Sequence, residues 1–246
     1  MKNYKSMNWK LFAIPTFLVI VILTGCIFNV NCKKGNGNIS KQGRKITTFD
    51  AIDVSGAYNI ILNQDSVTSV YVETDENLLP LINTTVEGGK LIIENKDSKS
   101  LCPSKNINVY VSVADIKNID ISGAVEVKCI KKFSLNDLKI DVSGAGEINL
   151  NLSVQNLYLD CSGASKILLS GDATNVISDN SGASEINAFD FLVENFKITS
   201  SGAGKAKVNV SKKLDIDISG ASSVKYKGNP VINQEISGAG SIRKVE

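Results

Sequence analysis

Apolar and polar residues alternate in the short stretch that precedes a recurring tripeptide, Ser-Gly-Ala. The residues one and three positions before the Ser are mostly apolar, as Ile119 and Ile121 are, and the residue between them is mostly acidic. This period-two alternation predicts a half-buried β-strand. A second alternating stretch begins five residues after the Ser, for example at Val127 and Ile148, and predicts a second strand. The tripeptide begins at Ser55, Ser122, Ser143, Ser162, Ser181, Ser201, Ser219 and Ser237.

From Ser122 onward, successive copies are 18 to 21 residues apart, with a mean near 19. A fixed period of this length predicts a solenoid in which each coil stacks only on its neighbours. The Gly between two small residues is expected to form a tight corner between the strands. We therefore predict an all-β fold, a single-stranded right-handed parallel β-helix with coils of about 19 residues and an irregular N-terminal cap. A second corner is expected six residues before the Ser, where Asn and Asp tolerate left-handed geometry, at Asp137, Asn156, Asn175 and Asn195.

The first third of the predicted domain, which spans 44–246, is less regular than the rest. Residues 49–57 look like one more copy of the corner, placed 67 residues before the next. We expect irregular N-terminal coils over 44–115 that cap the regular repeats of 116–246. Between the first two copies the pattern predicts strands at 69–73, 90–94 and 107–113, a helical turn within 75–81 and a hairpin-like turn at 87–90.

The N-terminal residues predict export and lipid attachment. Three lysines precede an apolar stretch from 11 to 23, which is shorter than the roughly 20 residues of a membrane-spanning helix. This arrangement indicates a signal peptide over 1–25. The stretch ends in Leu23-Thr24-Gly25-Cys26, which resembles the lipobox of bacterial lipoproteins and implies cleavage before Cys26 and acylation of that residue. An ordinary secreted protein with a chance Cys at this position is the alternative.

Lipidation of Cys26 would determine how the domain is held in the cell envelope. Residues 26–43, which include Gly35-Asn36-Gly37-Asn38, are expected to be a flexible tether. Ile27 follows the Cys, whereas an Asp there suggests retention at the inner membrane in some bacteria. We therefore expect a lipid anchor in the outer membrane, with the domain facing the periplasm or the cell surface.

The charge of the chain argues against a nucleic-acid partner. Residues 1–25 contain three lysines and no acid, so the 27 basic and 25 acidic residues of the whole chain become 24 and 25 after cleavage. Arg44 and Arg243 are the only arginines in the sequence, and no basic stripe is expected. Nucleic-acid binding depends on clustered contacts to phosphates, and we predict none.

The cysteines and the absence of histidine exclude several kinds of site. The sequence contains no His, so His-dependent triads and His/Cys zinc sites are excluded. Cys129 and Cys161 are predicted to lie two coils apart, roughly 10 Å, which is too far for a disulfide. Both are therefore expected to be buried free thiols. A bond between Cys32 and Cys102 remains open.

An acidic row is the strongest candidate for chemistry. Asp120, Asp141, Asp160 and Asp179 all stand two residues before the corner Ser, so the coils would stack them about one strand spacing apart. Such a row either holds a cation such as Ca²⁺ or forms a solvated face with Lys139 and Lys197 as partners. We favour the solvated face. No catalytic residues, metal site or cofactor are predicted.

Several motifs occur together along the chain. They are Gly35-Asn36-Gly37, Arg44, Phe49, Ile52-Asp53-Val54-Ser55-Gly56, the run from Glu73 to Pro80, and the Ser-Gly-Ala segments at 143–149 and 181–187. In this combination the chain resembles lipoproteins with a GIN domain, which is described as an auto-transporter adhesin head and was earlier a domain of unknown function. The resemblance covers roughly residues 44 to 240. It implies a β-helical fold on a bacterial surface or periplasmic lipoprotein, and it brings no catalytic residues.

These observations favour a non-enzymatic cell-envelope lipoprotein that presents a β-helical binding or adhesion surface. Its expected partners are the membrane, through the N-terminal lipid, and an envelope protein or glycan ligand. Two alternatives belong to other classes. One is an envelope-structural component that assembles through an open coil end, and the other is a glycan-acting β-helix enzyme.

Overall fold

The computed structural model describes residues 32–246. The predicted signal peptide, Cys26 and the first residues of the predicted tether lie outside this range. Within it, no helix has the length and apolar character needed to cross a membrane. The strands are β1 (Lys33–Lys34), β2 (Ile39–Arg44), β3 (Ala51–Gln64), β4 (Ser69–Asp75), β5 (Ile82–Glu87), β6 (Lys90–Asn95), β7 (Leu101–Cys102), β8 (Asn108–Val113), β9 (Asn118–Cys129), β10 (Phe133–Val142), β11 (Glu147–Cys161), β12 (Lys166–Asn180), β13 (Glu185–Ser200), β14 (Lys205–Ile218), β15 (Ser223–Lys227), β16 (Val231–Ile236) and β17 (Ser241–Lys244), with 3₁₀ helices at Leu79–Leu81 and Lys96–Ser98.

The strands form a β-solenoid of about seven turns with coils of about 19 residues, as the sequence predicted. From β9 onward every pairing is parallel, and each strand lies beside the equivalent strand of the next coil. The alternation explains the core. Ile140, Leu159 and Ile198 stand three residues before their corner Ser, are aligned through the strand register and are buried. Burial of such apolar columns is the main favourable contribution to stacking the coils.

The Ser-Gly-Ala corners stack so closely that glycine is required. A Cβ on Gly144 would overlap the carbonyl oxygen of Gly123, and a Cβ on Gly163 would overlap that of Gly144. The same close approach continues through the later corners. Only Gly56 and Gly123 among these corner glycines have a positive φ, of 132° and 112°. In most corners, therefore, the approach of the preceding coil and not left-handed backbone geometry excludes a side chain.

The second predicted corner is a bend within each continuous strand, where the pairing skips one residue and two successive side chains, such as Gln155 and Asn156, lie outside the core. Asp137, Asn156, Asn175 and Asn195 lie within continuous strands and do not adopt a positive φ. Their side chains instead form a ladder along the solenoid axis. Each Asn donates its amide N–H to the side-chain oxygen of the preceding coil, over 2.7 to 3.0 Å. Hydrogen bonding between coils, and not left-handed geometry, accounts for the Asn at this position.

The first copy of the corner stacks directly on the second, although 67 residues separate them in sequence. β3 pairs in register with β9, so that Ser55 lies beside Ser122 and Gly56 beside Gly123. The residues between the two strands form a cap on the other side of β3. β6 and β8 pair with β3 in parallel, β5 forms an antiparallel hairpin with β6, and β4 and β2 add antiparallel strands. The strands and the hairpin turn predicted in this region are present, and they form the irregular N-terminal cap that the sequence predicted. β6 and β8 stack on the two halves of β3 as one irregular coil, whereas β2, β4 and β5 add antiparallel strands that no coil contains.

The described part of the expected tether is built into the cap, which corrects the flexible-tether prediction for residues 32–43. β2 pairs antiparallel with β4, and β1 pairs in parallel with β7. Cys32 forms a disulfide with Cys102, with a Cα–Cα distance of 5.6 Å. The partners of this segment lie 26 to 70 residues further along the chain, which is why its local composition alone suggested a tether.

A buried carboxylate joins the same segment to the cap. Asp75 is fully buried. It accepts hydrogen bonds from the main-chain N–H of Gly37 at 2.7 Å, the main-chain N–H of Ser104 at 2.8 Å and the Ser104 hydroxyl at 2.7 Å. Gly35 packs so close to this carboxylate that a Cβ would overlap it. Asp75 therefore connects the N-terminal segment to the loop that follows Cys102.

The other two cysteines of the described residues are free, as predicted. Cys161 is buried in the core, and burial raises the pKa of its thiol. Cys129 is only half-buried, which corrects the expectation that both would be enclosed. The partial burial follows from the position of Cys129 at the end of β9. Its sulfur accepts a hydrogen bond from the main-chain N–H of Asn151 at 3.1 Å.

Candidate functional site

The outward side of the strand before each corner carries the predicted acidic row. Asp120, Asp141, Asp160 and Asp179 are aligned through the registers of β9 to β12. Neighbouring strands are about 4.8 Å apart, so the carboxylates form a line and do not converge on one point. Within residues 32–246 no three His, Cys, Asp or Glu side chains lie close enough together to hold a metal ion. The solvated face stays the prediction and the cation ladder the alternative, and an experiment that separates them is given below.

The acidic row is one residue longer than the sequence pattern had suggested, because Asp53 continues it. β3 places Asp53 beside Asp120, and β6 brings Lys90 over both residues. The Lys90 ammonium lies 2.8 Å from Asp120 and 3.7 Å from Asp53. Asp53 could have been found, because it also stands two residues before a corner Ser. Lys90 had no such signal, since it comes from the cap. We call this surface, with the five acidic residues from Asp53 to Asp179, the Asp face.

Of the two lysines expected to pair with the acidic row, one does so. Lys139 pairs with Asp141 at 2.8 Å. Lys197 makes no ion pair among the described residues, because its coil carries Thr199 at the acidic position. Lys90 takes the compensating role that was assigned to Lys197, at the opposite end of the row.

Two neighbouring carboxyls on the Asp face have opposite pKa shifts. Burial raises the pKa of Asp141, and a hydrogen bond with Asp120 acts in the same direction, against the Lys139 ammonium. Burial also opposes ionisation of Asp120, but hydrogen bonds with Lys90, Asp141 and Asn118 hold its pKa below the ordinary value. The row reduces its own repulsion by pairing with lysines at Asp53, Asp120 and Asp141.

The corner serines line a shallow groove along the Asp face. This groove has a volume of about 480 Å³ and is lined by four of the aspartates and by Ser122, Ser143 and Ser162. Each of these hydroxyls donates to a main-chain carbonyl of the preceding coil, over 3.2 to 3.4 Å. The hydroxyls serve the stacking of the corners, and the groove offers mainly hydrogen-bond acceptors and negative charge to a partner.

An exposed aromatic residue lies at the edge of the same face. Tyr158 is 41% exposed and lies between Lys139 and Ile177 on the neighbouring coils. Ile177 is itself 37% exposed. Aromatic side chains with a polar tip are enriched at binding surfaces. The Asp face therefore combines hydrogen-bond acceptors, two lysines and an aromatic ring on a flat sheet.

The chain belongs to the family described as "Putative auto-transporter adhesin, head GIN domain", whose model matches residues 48–230. This agrees with the resemblance found in the sequence motifs. It makes the protein adhesin-like, and a family of this kind belongs to the cell surface or envelope. Among curated proteins, none is significantly similar in sequence to this chain.

Solved structures show the same fold. A "putative adhesin" from Bacteroides fragilis has 22% identity and a TM-score of 0.79, over 87% of this chain and 100% of that chain. A "putative lipid binding protein" from Parabacteroides distasonis has 26% identity and a TM-score of 0.72, over 87% and 99%. A "putative adhesin" from Parabacteroides merdae has 21% identity and a TM-score of 0.66, over 87% and 99%.

Proposed function

We propose that this protein is a lipoprotein of the bacterial envelope, held in the outer membrane by a lipid on Cys26, whose solenoid is a non-enzymatic binding or adhesion head. The Asp face carries the proposal. It is a shallowly grooved surface with an exposed Tyr158, and the four-residue corners beside it are too short to form loops that would enclose a substrate. Stacked parallel strands give such a surface a rigid and extended shape without a cleft.

The disulfide in the cap supports export. Disulfides form and persist in oxidising compartments such as the periplasm and the cell surface, and they are rare in the cytosol. The bond between Cys32 and Cys102 lies only six residues beyond Cys26. The described domain therefore begins a few residues after the proposed lipid in the sequence. Its first residue, Cys32, forms a bond that is typical of exported proteins.

The anchor is tested by substitution of Cys26. Cys26→Ala in the full chain should release the protein from membranes and leave an uncleaved or wrongly cleaved precursor, because both acylation and cleavage depend on that residue. Fractionation with salt and carbonate washes measures the release. Ile27→Ala, one residue away, is the control and should stay in the membrane fraction. A Cys26→Ala protein that resists both washes would refute the lipobox.

The binding head is tested by capture of a ligand on the Asp face. The full chain, in a neutral detergent, is applied to a glycan array and to envelope extract, and each captured ligand is tested again with variants. Tyr158→Ala should abolish capture, since the ring supplies buried contact area. Tyr71→Ala removes a similarly exposed ring, 43% exposed, from the cap and should have no effect. Equal capture by the wild type and by Tyr158→Ala would remove the Asp face from the proposal.

A second candidate function is assembly through the last described coil. On β16, Val231 is 69% exposed and Ile236 is 39% exposed. Unpaired strand edges with apolar side chains favour edge-to-edge association. Sedimentation velocity across a concentration series should then show dimers that Val231→Lys abolishes. A monomer at every concentration would remove this candidate.

A further inference from the structure

The register of the last three coils aligns basic residues on a face that is distinct from the Asp face. Lys207, Lys225 and Arg243 lie beside one another in β14, β15 and β17. Each stands six residues after its corner Ser, a spacing that is visible in the sequence. Lys205 and Lys227 flank the row on the same outward side. We call these five residues the basic face. Its presence corrects the expectation that the chain has no basic stripe.

The basic face has little internal compensation. Among the described residues, Glu185 is the carboxylate that pairs with it, at 3.6 Å from Lys207. Lys225 and Arg243 are exposed and make no ion pair within residues 32–246. Like charges directly opposite each other on neighbouring strands destabilise a sheet. The Asp face relieves this repulsion with Lys90 and Lys139, whereas the basic face keeps its charge available for a partner.

The straight arrangement of the cations on the basic face fits some anionic partners better than others. The three cations form a straight line along the solenoid axis at a spacing of about 4.8 Å, and Lys227 is held in place beside them over the ring of Phe189, at 4.9 Å. A linear polymer with one anion per unit can place successive anions opposite successive cations. One sugar unit of an extended polysaccharide advances by a similar distance.

The surroundings of the row argue against a membrane as the partner. Membrane-binding surfaces combine basic residues with apolar side chains that enter the lipid. Ser223, Ser241 and Asn209 lie next to the cations, and the one aromatic ring beside them, that of Phe189, is covered by Lys227. A protein of the envelope also meets acidic glycans more often than nucleic acid. We infer that the basic face binds a linear acidic polysaccharide, such as a polyuronate, in a manner independent of any partner of the Asp face.

Binding to polygalacturonate tests the inference directly. The full chain in neutral detergent should bind this polymer, with an affinity that falls as salt rises, and should not bind neutral dextran. The triple variant Lys207→Gln, Lys225→Gln, Arg243→Gln should weaken binding at least tenfold. Glu185→Gln removes the carboxylate that pairs with Lys207 and should tighten binding about twofold. Because the triple variant relieves repulsion, it should unfold no earlier than the wild type.

The matched control is Lys45→Gln, Lys105→Gln, Lys131→Gln. It removes the same charge from three exposed lysines that make no ion pair among the described residues, and it should bind as the wild type does. The inference is wrong if polygalacturonate does not bind, or if both triple variants lose binding equally. It is also wrong if single-stranded DNA or vesicles with phosphatidylglycerol bind to the same residues as tightly as the polymer. None of these outcomes affects the Cys26 and Tyr158 tests, so failure here leaves the proposed function standing.

Discussion

At the scale of single residues, Asp75 shows how a charge can be buried without a lysine or arginine partner. The Ser104 hydroxyl, together with the main-chain N–H groups of Ser104 and Gly37, holds the pKa of this carboxyl below its ordinary value, against the opposing effect of burial. Hydrogen bonds to the ionised form have this effect on a carboxylate. The donors come from two segments that the disulfide also joins, so the charge of Asp75 is linked to the closure of the cap.

Asp75→Asn should therefore lower the melting temperature at neutral pH. Since the pKa of the carboxyl is lower in the folded state, its contribution is complete above the ordinary Asp value of about 4 and is lost as pH falls through the folded value. The difference between the wild type and the variant should be large at pH 7 and should shrink as pH falls below the ordinary Asp value. Thermal unfolding across that range measures it. Asp97→Asn, an exposed control paired only with Lys99, should be nearly neutral throughout.

Carboxylates of the Asp face are expected to have the opposite effect on stability from Asp75. Asp141→Asn with Asp160→Asn should stabilise the fold by about 0.5 kcal/mol at neutral pH, because repulsion along the row is relieved. The pKa of Asp141 is raised in the folded state, so the wild type loses stability as pH rises from the ordinary Asp value through the raised one. The advantage of the variant should appear in that interval and be absent at lower pH. Urea unfolding at several pH values measures it.

The same variant tests the cation ladder. A structural Ca²⁺ site would raise the unfolding midpoint of the wild type in millimolar Ca²⁺ by mass action, and the variant would lose that rise. We expect no such rise, because Lys90 and Lys139 already compensate the row. Asp172→Asn is the contrasting control. Its carboxylate pairs with Lys132 and with the Ser153 hydroxyl, so this substitution should destabilise slightly.

At the scale of elements, periodic contacts were predictable and contacts between distant segments were not. The alternation before each corner Ser predicted the strands and their inward columns, because side-chain direction follows from period two. The role of Asn156 and Asn175 was misinterpreted, since Asn suits both a turn and a ladder and only the stacked coils distinguish them. The pairing of β2 with β4 was not visible, because no periodicity connects those strands.

The corner glycines allow a sharp test of stacking. Gly163→Ala should destabilise the fold by about 2 kcal/mol, because the new Cβ overlaps the Gly144 carbonyl and the tightly packed corner cannot give way. Gly204→Ala is the matched control. Its Cβ would meet neighbouring atoms at 3.4 Å, an ordinary contact, and other coils carry Ser at the equivalent position. Urea denaturation of both variants measures the contrast. A tolerated Gly163→Ala would show that the corners are less closely stacked than described.

At the scale of the whole molecule, the candidate sites follow from the repeat only in part. The Asp row could be predicted because its members share one offset from the corner Ser. Lys90 could not, because it reaches the row from the cap. The basic face was predictable in principle, since Lys207, Lys225 and Arg243 also share one offset. It was missed because charge was considered along the sequence and not by position within the coil.

The disulfide should decide the stability of the capped end of the solenoid. Cys32 and Cys102 enclose a loop of 70 residues, and a crosslink of that span restricts the unfolded chain enough to contribute about 4 kcal/mol. The double variant Cys32→Ala, Cys102→Ala should therefore unfold at lower urea concentration by about that free energy. Its cap amides, in β2 and β4, should exchange hydrogen faster, while those of β11 and β12 change little, because each coil of a solenoid contacts only its neighbours. Cys129→Ala controls for loss of a thiol. Uniformly faster exchange in all coils would show that the cap and the repeats unfold as one cooperative unit.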